Sequence, residues 1–358
     1  MDKLTKAGLA AVLLLLVIAL YFWQAGFRSP KIPAPVAPSE KLTIGAVLCT
    51  AATLLTITQE KGYFRDNGLE VSLKFFPTGP MVLEQLRAGQ IDLANFSDFV
   101  LTSEILKGAP SLRCLAAIGD VDVNQMLARK DRGILQPADL KGKRIGVARG
   151  TIAEFFLGRF LTFHDVQLSE VQIIDLIPPD LPAALAGGRV DAVMAWEPAT
   201  YEILRQMGEK LSSWRGQTEQ KFFMILASPD EFIKAKSEVL ERLFRALAQA
   251  ETFIKNNQDE SQAIIAKWLK IEPDVFKADW LNSEYGLSFN QGLVISMEDQ
   301  ARWIIRNKLV QQTKMPDFLN YFQVEPLATV EPKAVQIIIP KGVSIAAPGQ
   351  SESGKERR

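Results

Sequence analysis

Turns that follow apolar strands carry the residues best suited to bind a small ligand. Three of these turns hold hydroxyl groups, at Thr50, Thr78 and Thr151, and two others hold the carboxylates Asp98 and Glu197. In open α/β sheets, ligands bind beyond the carboxyl ends of the strands, where helices begin. The predicted ligand-binding residues are therefore Thr50, Ala51, Thr78, Gly79, Ser97, Asp98, Arg149, Gly150, Thr151, Trp196 and Glu197.

The types of these residues limit the chemistry of the ligand. Helix N-termini suit a sulfonate, phosphonate, carboxylate or similar oxyanion, because their free N–H groups and dipole point at it. Gly79 and Gly150 let the backbone approach such a group closely. Asp98 and Glu197 would repel an anion and suit an amine or a polar ring. A zwitterion or a substituted pyrimidine fits this mixture better than nitrate does.

Several of these residues also have a purely structural interpretation. Thr50, Ser97 and Thr151 can be plain helix N-caps, and Thr151 stands at capping-box spacing from Glu154. Trp196 is as well suited to the core as to a cleft, because large aromatic side chains dominate cores. For any one of the three hydroxyl residues, capping is the simpler explanation.

The acidic residues allow structural roles as well. Asp98 near a helix start can complement the helix dipole, and Glu197 can pair with Arg149 instead of a ligand. Asp92 and Asp191 recur at strand starts in both halves of the chain. This recurrence indicates turn structure rather than chemistry.

The composition excludes several functional classes. Lys plus Arg and Asp plus Glu number 41 each, so no basic excess indicates a nucleic-acid partner. One histidine, His164, and two cysteines, Cys49 and Cys114, supply too few ligands for a zinc site. No nucleophile–base pair is evident, and we expect neither a cofactor nor an enzyme. The cysteines could form a disulfide, but their positions in strands favour buried, reduced thiols.

Two α/β units built on one plan must position the turns. Leu86–Ala94 and Leu185–Val193 each indicate a helix end, a glycine stop and a short strand that starts at an aspartate. The upstream strands Ile44–Val47 and Ile145–Ala148 repeat as well. Strands that alternate with helices predict mostly parallel sheets covered on both faces. We expect lobe 1 at residues 41–125 and 226–330 and lobe 2 at 126–225.

The last third of the chain indicates a return strand and a helical block. Phe222–Ala227 is apolar enough for the strand, and Lys234–Asn256 has the apolar face of a long amphipathic helix. Further helices are predicted near Glu260–Leu269, Met297–Leu309 and Pro316–Phe322. Because this block has no partner of its own, it should pack on the first unit.

The two ends of the chain differ from its globular part. Lysines precede an uncharged apolar run at Ala7–Trp23, and residues 1–27 are predicted to be a signal-anchor helix with its N-terminus in the cytoplasm. The proline-rich residues 28–40 indicate an extended linker. The tail at 340–358 is predicted to be disordered.

The ordered set of these motifs resembles the substrate-binding proteins of ABC importers for nitrate, sulfonates, taurine and thiamine precursors. The resemblance covers Leu42 to Ile339 and implies a two-lobed periplasmic-binding-protein fold of type II that closes over a solute by hinge motion. It implies delivery of the solute to a membrane permease and ATPase on the extracytoplasmic face. The matching stretches are Gln59–Phe64, Leu86–Ala94, Asp139–Val147, Ala183–Val193 and Trp196–Pro198.

Three functional classes remain after this comparison. The leading hypothesis is a monomeric, membrane-tethered solute-binding protein of an importer, with a small polar organic solute or oxyanion as ligand. A tethered ligand sensor is the second hypothesis, and an enzyme that uses Asp98 or Glu197 as general acid or base is the third. Neighbouring genes for a permease and ATPase would favour the first, a histidine kinase the second, and turnover of a bound compound the third.

Overall fold

The computed structural model describes most of the chain from residue 39 onward. The predicted anchor at 1–27, the predicted linker up to residue 38 and the predicted tail at 340–358 lie outside the described residues. Within the described part of the chain, no helix has both the length and the hydropathy of a transmembrane segment. The described ranges are 39–108, 111–217, 220–272 and 280–338.

Strands and helices alternate through the first two thirds of the described residues. The strands are β1 (Glu40–Val47), β2 (Leu69–Phe76), β3 (Leu93–Ser97), β4 (Leu112–Val121), β5 (Gln125–Arg129), β6 (Arg144–Val147), β7 (Gln172–Asp175), β8 (Ala192–Ala195), β9 (Leu211–Arg215) and β10 (Phe222–Pro229). The α-helices are α1 (Thr53–Glu60), α2 (Tyr63–Asp66), α3 (Gly79–Arg87), α4 (Asp98–Leu106), α5 (Ile152–Phe163), α6 (Leu181–Ala186), α7 (Ala199–Met207), α8 (Asp230–Ala235), α9 (Ser237–Asn256), α10 (Gln258–Leu269), α11 (Gln291–Arg306) and α12 (Glu325–Val330).

These strands form two five-stranded sheets with the same plan. The first has the order β2-β1-β3-β10-β4, and the second has the order β7-β6-β8-β5-β9. In each sheet the first three strands are parallel, and a strand that has crossed from the other sheet is inserted antiparallel beside them. The central strands are buried on both faces, which explains their continuous apolar runs.

The strand-start aspartates hold equivalent positions in the two sheets. A carboxylate oxygen of Asp92 accepts the backbone N–H of Thr43 at 2.7 Å, and one of Asp191 accepts that of Arg144 at 3.0 Å. Each aspartate thus ties the start of its own strand to the neighbouring parallel strand. The prediction of turn structure at these two positions is confirmed, and so is the internal repeat.

Two short segments carry the chain between the sheets. Residues 122–124 connect β4 to β5, and the segment that returns from β9 to β10 includes the described residues 216–217 and 220–221. The predicted return strand is confirmed, but β10 begins at Phe222 and belongs wholly to the first sheet. Residue 225, the predicted end of lobe 2, lies within β10 of the first sheet.

The helical block packs on the first unit, as predicted. Helix α9 packs on α1, α2 and α12, and α11 packs on α4 and β10. The predicted helix Lys234–Asn256 is divided in two, because Lys236 leaves helical geometry at φ −130°. The helix predicted at Pro316–Phe322 is wrong, since only a 3₁₀ turn forms there at Phe318–Tyr321.

A large apolar core reaches from the first lobe into the second. Helix α5 of the second lobe contributes Phe155, whose ring centroid lies 5.6 Å from that of Trp303 on α11. The Trp303 ring also lies 6.1 Å from that of Phe99 on α4. Gly158 on α5 lets this indole approach, because an ideal Cβ there would lie 2.6 Å from the Trp303 ring. Aromatic packing therefore joins α5 of the second lobe to α4 and α11 of the first.

Candidate functional site

A small cavity lies between the two lobes and beside the connecting segment 122–124. Strand ends and turns of the first lobe form one wall, and the turn before α5 and the end of β8 form the other. Of the predicted ligand-binding residues, Gly79, Ser97, Thr151 and Trp196 line it. The other lining residues are Val47, Cys49, Val100, Val123, Asn124, Ile152, Phe222 and Met224.

The cavity is small, and the described residues that line it are uncharged. Its volume is about 30 Å³, little more than a water molecule requires, so an organic solute does not fit into it in this conformation. None of its described lining residues is Lys, Arg, His, Asp or Glu. The wall offers apolar side chains, an indole face, two hydroxyl groups, one amide and one thiol.

Asp98, which was predicted to bind the ligand, does not line this cavity. It is fully buried against α11, where its carboxylate accepts the hydroxyl of Ser296 at 2.7 Å and the backbone N–H of Phe99 at 2.9 Å. Burial raises the pKa of this carboxyl to about 6, and this effect outweighs the hydrogen bonds, which favour the charged form and lower the pKa. Asp98 therefore ties α4 to α11 and lies outside the cavity lining.

Replacement of Asp98 by asparagine should change how stability depends on pH. Because the folded-state pKa lies above the ordinary value of 3.8, the native state binds the proton more tightly, and stability falls as pH rises from about 4 to about 6. A shift of this size corresponds to roughly 3 kcal/mol. We expect Asp98→Asn to lack this fall. The free energy of unfolding of the variant should therefore rise relative to that of the wild type between about pH 4 and about pH 6. Urea unfolding at pH 4, 5, 6 and 7 measures the difference, and parallel profiles would contradict the assignment.

Glu197 is also turned away from the cavity. It is buried, and its carboxylate accepts the backbone N–H of Tyr201 at 2.9 Å, so it caps α7. Burial raises its pKa. The predicted alternative of a pair with Arg149 is wrong as well, because the Arg149 guanidinium lies 3.8 Å from Glu154 instead. The peptide bond between Glu197 and Pro198 is cis.

Two backbone N–H groups in the turn before α5 donate to carboxylates of the protein, so they are not available to an anionic ligand. The Gly150 N–H donates to Glu154 at 2.8 Å, and the Arg149 N–H donates to Asp175 at 3.0 Å. The predicted capping box is therefore wrong in detail: Thr151 donates its hydroxyl to Ala148 O at 2.7 Å and caps nothing. Two carboxylates beside this turn oppose the binding of an anion there.

Of the three predicted hydroxyl residues in the turns of the first lobe, Ser97 lines the cavity and Thr50 and Thr78 do not. Thr50 is not the predicted N-cap but begins a 3₁₀ turn that includes Ala51, and neither residue lines the cavity. Thr78 caps α3 through Met81 N–H and stays behind the wall. Ser97 makes no capping hydrogen bond, and it lines the cavity. Among the predicted hydroxyl residues, Ser97 is thus the best placed to meet a ligand.

Trp196 belongs to both the core and the cavity. Its side chain is only 6% exposed, packs in the large core and forms part of the cavity wall. The sequence left these two roles open, and the structure combines them. An indole face in an uncharged pocket suits a planar or apolar ligand group.

The cysteines are free and buried, as favoured from the sequence. Burial raises the pKa of the Cys49 thiol to about 12, and it raises that of Cys114 as well. Cys49 lines the cavity, but its thiol stays protonated at neutral pH. It is therefore suited to packing and not to nucleophilic attack.

Among the lining residues that were not predicted from the sequence, Asn124 is the one with a side-chain amide. It lies beside the predicted boundary between the lobes at residues 125 and 126, and it precedes β5, the strand with which the chain enters the second sheet. That position was the available signal. Its side chain is 1% exposed and contacts Gln217 of the other connecting segment.

Two sheets joined by two connecting segments, with a cavity at the strand ends between them, define a two-lobed periplasmic-binding-protein fold. The chain belongs to the NMT1/THI5-like family, whose sequence model matches residues 50–261, more than half of the chain. The resemblance inferred from the motifs is thereby confirmed.

Individual relatives agree with this family. A Bacillus subtilis protein named for the binding of aliphatic sulfonates is 28% identical over 304 residues, which cover 84% of this chain and 91% of the relative. The formylaminopyrimidine-binding protein of Halalkalibacterium halodurans is 25% identical over 220 residues, or 60% of this chain and 65% of the relative. The structure of the alkanesulfonate-binding protein SsuA from Xanthomonas axonopodis bound to MOPS matches with a TM-score of 0.66 at 22% identity, covering 84% of this chain and 100% of that one.

Proposed function

We propose that this protein captures a small organic solute between its lobes and delivers it to the permease and ATPase of an ABC importer. The observation that carries the proposal is a cavity whose wall comes from both lobes and from a segment that connects them. A ligand in that position contacts both lobes at once. The names of the sulfonate-binding and formylaminopyrimidine-binding relatives support the same function.

The uncharged wall favours a solute with an apolar or planar body. Trp196 and the neighbouring aliphatic side chains would cover such a body, while Ser97 and Thr151 supply hydroxyl groups from opposite lobes. A simple oxyanion finds no Lys, Arg or His among the described lining residues. We therefore favour a pyrimidine-like solute over nitrate or another inorganic anion.

Solute binding would act by a shift between open and closed lobes. The present cavity is too small for an organic solute, so the open form must admit it. The solute then stabilises the closed form by contacts that exist only when both lobes surround it. Enzymatic turnover is the weaker alternative, because the thiol of Cys49 is held protonated and Asp98 and Glu197 lie outside the cavity.

The proposal extends to location and assembly. The apolar run Ala7–Trp23 would tether a monomer to the cytoplasmic membrane, with the lobes on the extracytoplasmic side. Membrane fractionation of the full chain, compared with a chain that starts at residue 39, tests the tether. Recovery of both chains in the soluble fraction would contradict it.

Native mass spectrometry of the full chain, followed by a thermal-shift panel, tests the function. The panel contains sulfonates, taurine, amino acids, pyrimidines, nitrate and bicarbonate. A solute that binds only the folded state raises the melting temperature in a saturable way. Absence of both a carried ligand and a hit would contradict the proposal and favour a sensor that binds a protein partner.

Replacement of Trp196 by alanine should weaken solute binding by roughly 10- to 100-fold, because an aromatic contact and buried area are lost from the cavity wall. Isothermal titration with the solute identified by the panel measures this effect. Trp268 on α10 lies outside the cavity, so Trp268→Ala serves as the matched control and should bind normally. Equal affinities of the two variants would contradict the role of Trp196.

A further inference from the structure

The two connecting segments are joined by one buried glutamine side chain. Gln217 of the second segment is 3% exposed. Its side-chain oxygen accepts the backbone N–H groups of Val123 and Asn124 at 2.7 and 3.0 Å, and the side-chain amide of Asn124 at 2.9 Å. Three donors from the first segment thus converge on a single oxygen of the second.

The surroundings of Gln217 fix which way its amide points. Its nitrogen donates to the backbone carbonyls of Val121 at 3.0 Å and Gln220 at 3.1 Å, and a carbonyl can only accept. The oxygen of Gln217 must therefore face Asn124. It follows that Asn124 presents its NH₂ group to Gln217 and cannot be turned over without placing two oxygens against each other.

This arrangement turns the side-chain oxygen of Asn124 away from Gln217. The oxygen is buried and accepts no hydrogen bond from the described residues. The backbone carbonyl of Asn124 is already used, because it accepts the Gly216 N–H at 2.7 Å. Asn124 therefore lines the cavity with one polar atom, its side-chain oxygen, that has no partner among the described residues. A buried acceptor without a donor is unfavourable by about 1–3 kcal/mol.

We propose that Asn124 is a specificity-determining residue that accepts a hydrogen bond from an N–H or O–H group of the solute. This inference rests on the proposed solute-binding function and narrows its ligand class. The solute should carry a donor, such as an amine, an amide or an aminopyrimidine, beside the apolar body that faces Trp196. A molecule of the same shape without the donor leaves the buried oxygen unpaired and binds more weakly.

Because Asn124 lies in a connecting segment, its hydrogen bond to the solute would couple solute binding to lobe closure. Its amide is held by the connecting segments themselves, so a hydrogen bond to the solute acts at the point about which the lobes would rotate. Ser97 of the first lobe and Thr151 of the second line the same cavity. A solute bound to Asn124 can therefore meet both lobes without displacement of the connecting segments.

Matched pairs of probes test the proposal on the full chain. The pairs are taurine and ethanesulfonate, 4-aminopyrimidine and 4-methoxypyrimidine, and benzamide and methyl benzoate, in which only the first member offers a nitrogen donor. Thermal shift and isothermal titration compare the wild type with Asn124→Leu. In the pair that binds, we expect the donor member to bind at least about 10-fold more tightly to the wild type. Asn124→Leu should reduce this preference to less than about 2-fold by weakening the donor member alone.

Controls separate the possible failures. Asn320→Leu changes an exposed asparagine outside the cavity and should keep the preference. If Asn124→Leu does not fold, Asn124→Ala and the wild-type comparison of the pairs decide the question. Binding of both members with equal affinity to the wild type, or a preference that survives in the Asn124 variants, would overturn the inference alone. Binding of no probe and no carried ligand would overturn the proposed function itself.

Discussion

Replacement of Gln217 by leucine is expected to lower the free energy of unfolding by about 3–5 kcal/mol, because several buried polar groups lose their partner at once. Its side chain serves Val123 and Asn124 through the oxygen and Val121 and Gln220 through the nitrogen. Leucine has a similar volume and can replace none of these bonds. Urea unfolding of the wild type and the variant measures the change.

Two further variants identify the cause of the loss. Gln217→Glu keeps the acceptor for Val123 and Asn124 but places a second oxygen against the carbonyls, so its loss of stability should also exceed about 1 kcal/mol. Gln206→Leu changes an exposed glutamine on α7 and should stay within about 0.5 kcal/mol of the wild type. A Gln217→Leu variant as stable as the Gln206 control would show that the connecting segments do not depend on this side chain.

The repeated α/β units could be predicted because their signals are local. Glycine stops and short apolar runs mark the ends of helices and the buried strands within a few residues of sequence. Asp92 and Asp191 stand at corresponding points of this pattern, and each bonds to the strand beside it. Such a pattern needs no knowledge of distant contacts, which is why the two sheets follow from it.

The orientation of the acidic residues could not be predicted, because their partners are distant in sequence or depend on turn geometry. Asp98 meets Ser296, which lies on a helix of the later helical block. Glu197 and Glu154 accept backbone N–H groups of their own turns, and a carboxylate in a turn does not reveal whether it points outward or back to the chain. The cavity is consequently less charged than the sequence indicated.

The position of Asn124 in the cavity could not be predicted from the sequence for a different reason. Neither Asn124 nor Gln217 belongs to a motif, and they come together only because two chain segments cross side by side. Gly216 permits this approach, since an ideal Cβ there would lie 2.9 Å from Asn124 O and 2.5 Å from Met194 Sδ. Only the paired segments reveal which atom of the asparagine remains free.

Replacement of Gly158 by leucine is expected to force the second lobe away from α11 and to weaken solute binding. An ideal Cβ at Gly158 would lie 2.6 Å from Cζ2 and 2.7 Å from Nε1 of Trp303, closer than real Cβ contacts allow. The indole cannot easily turn away, because it packs between Phe99 and Phe155. Overpacking of this kind typically costs about 1–3 kcal/mol. If this energy opposes lobe closure, the apparent affinity falls by about 10- to 100-fold.

A double-mutant cycle separates this effect from general damage to α5. Trp303→Ala removes the indole that the introduced leucine side chain would meet, so Gly158→Leu combined with Trp303→Ala should recover most of the affinity that Gly158→Leu loses alone. Small-angle scattering should show a larger radius of gyration for Gly158→Leu than for the wild type or the double variant. Equal radii for all of the proteins, or losses of affinity that simply add, would mean that the contact between Gly158 and Trp303 does not control how closely the lobes approach.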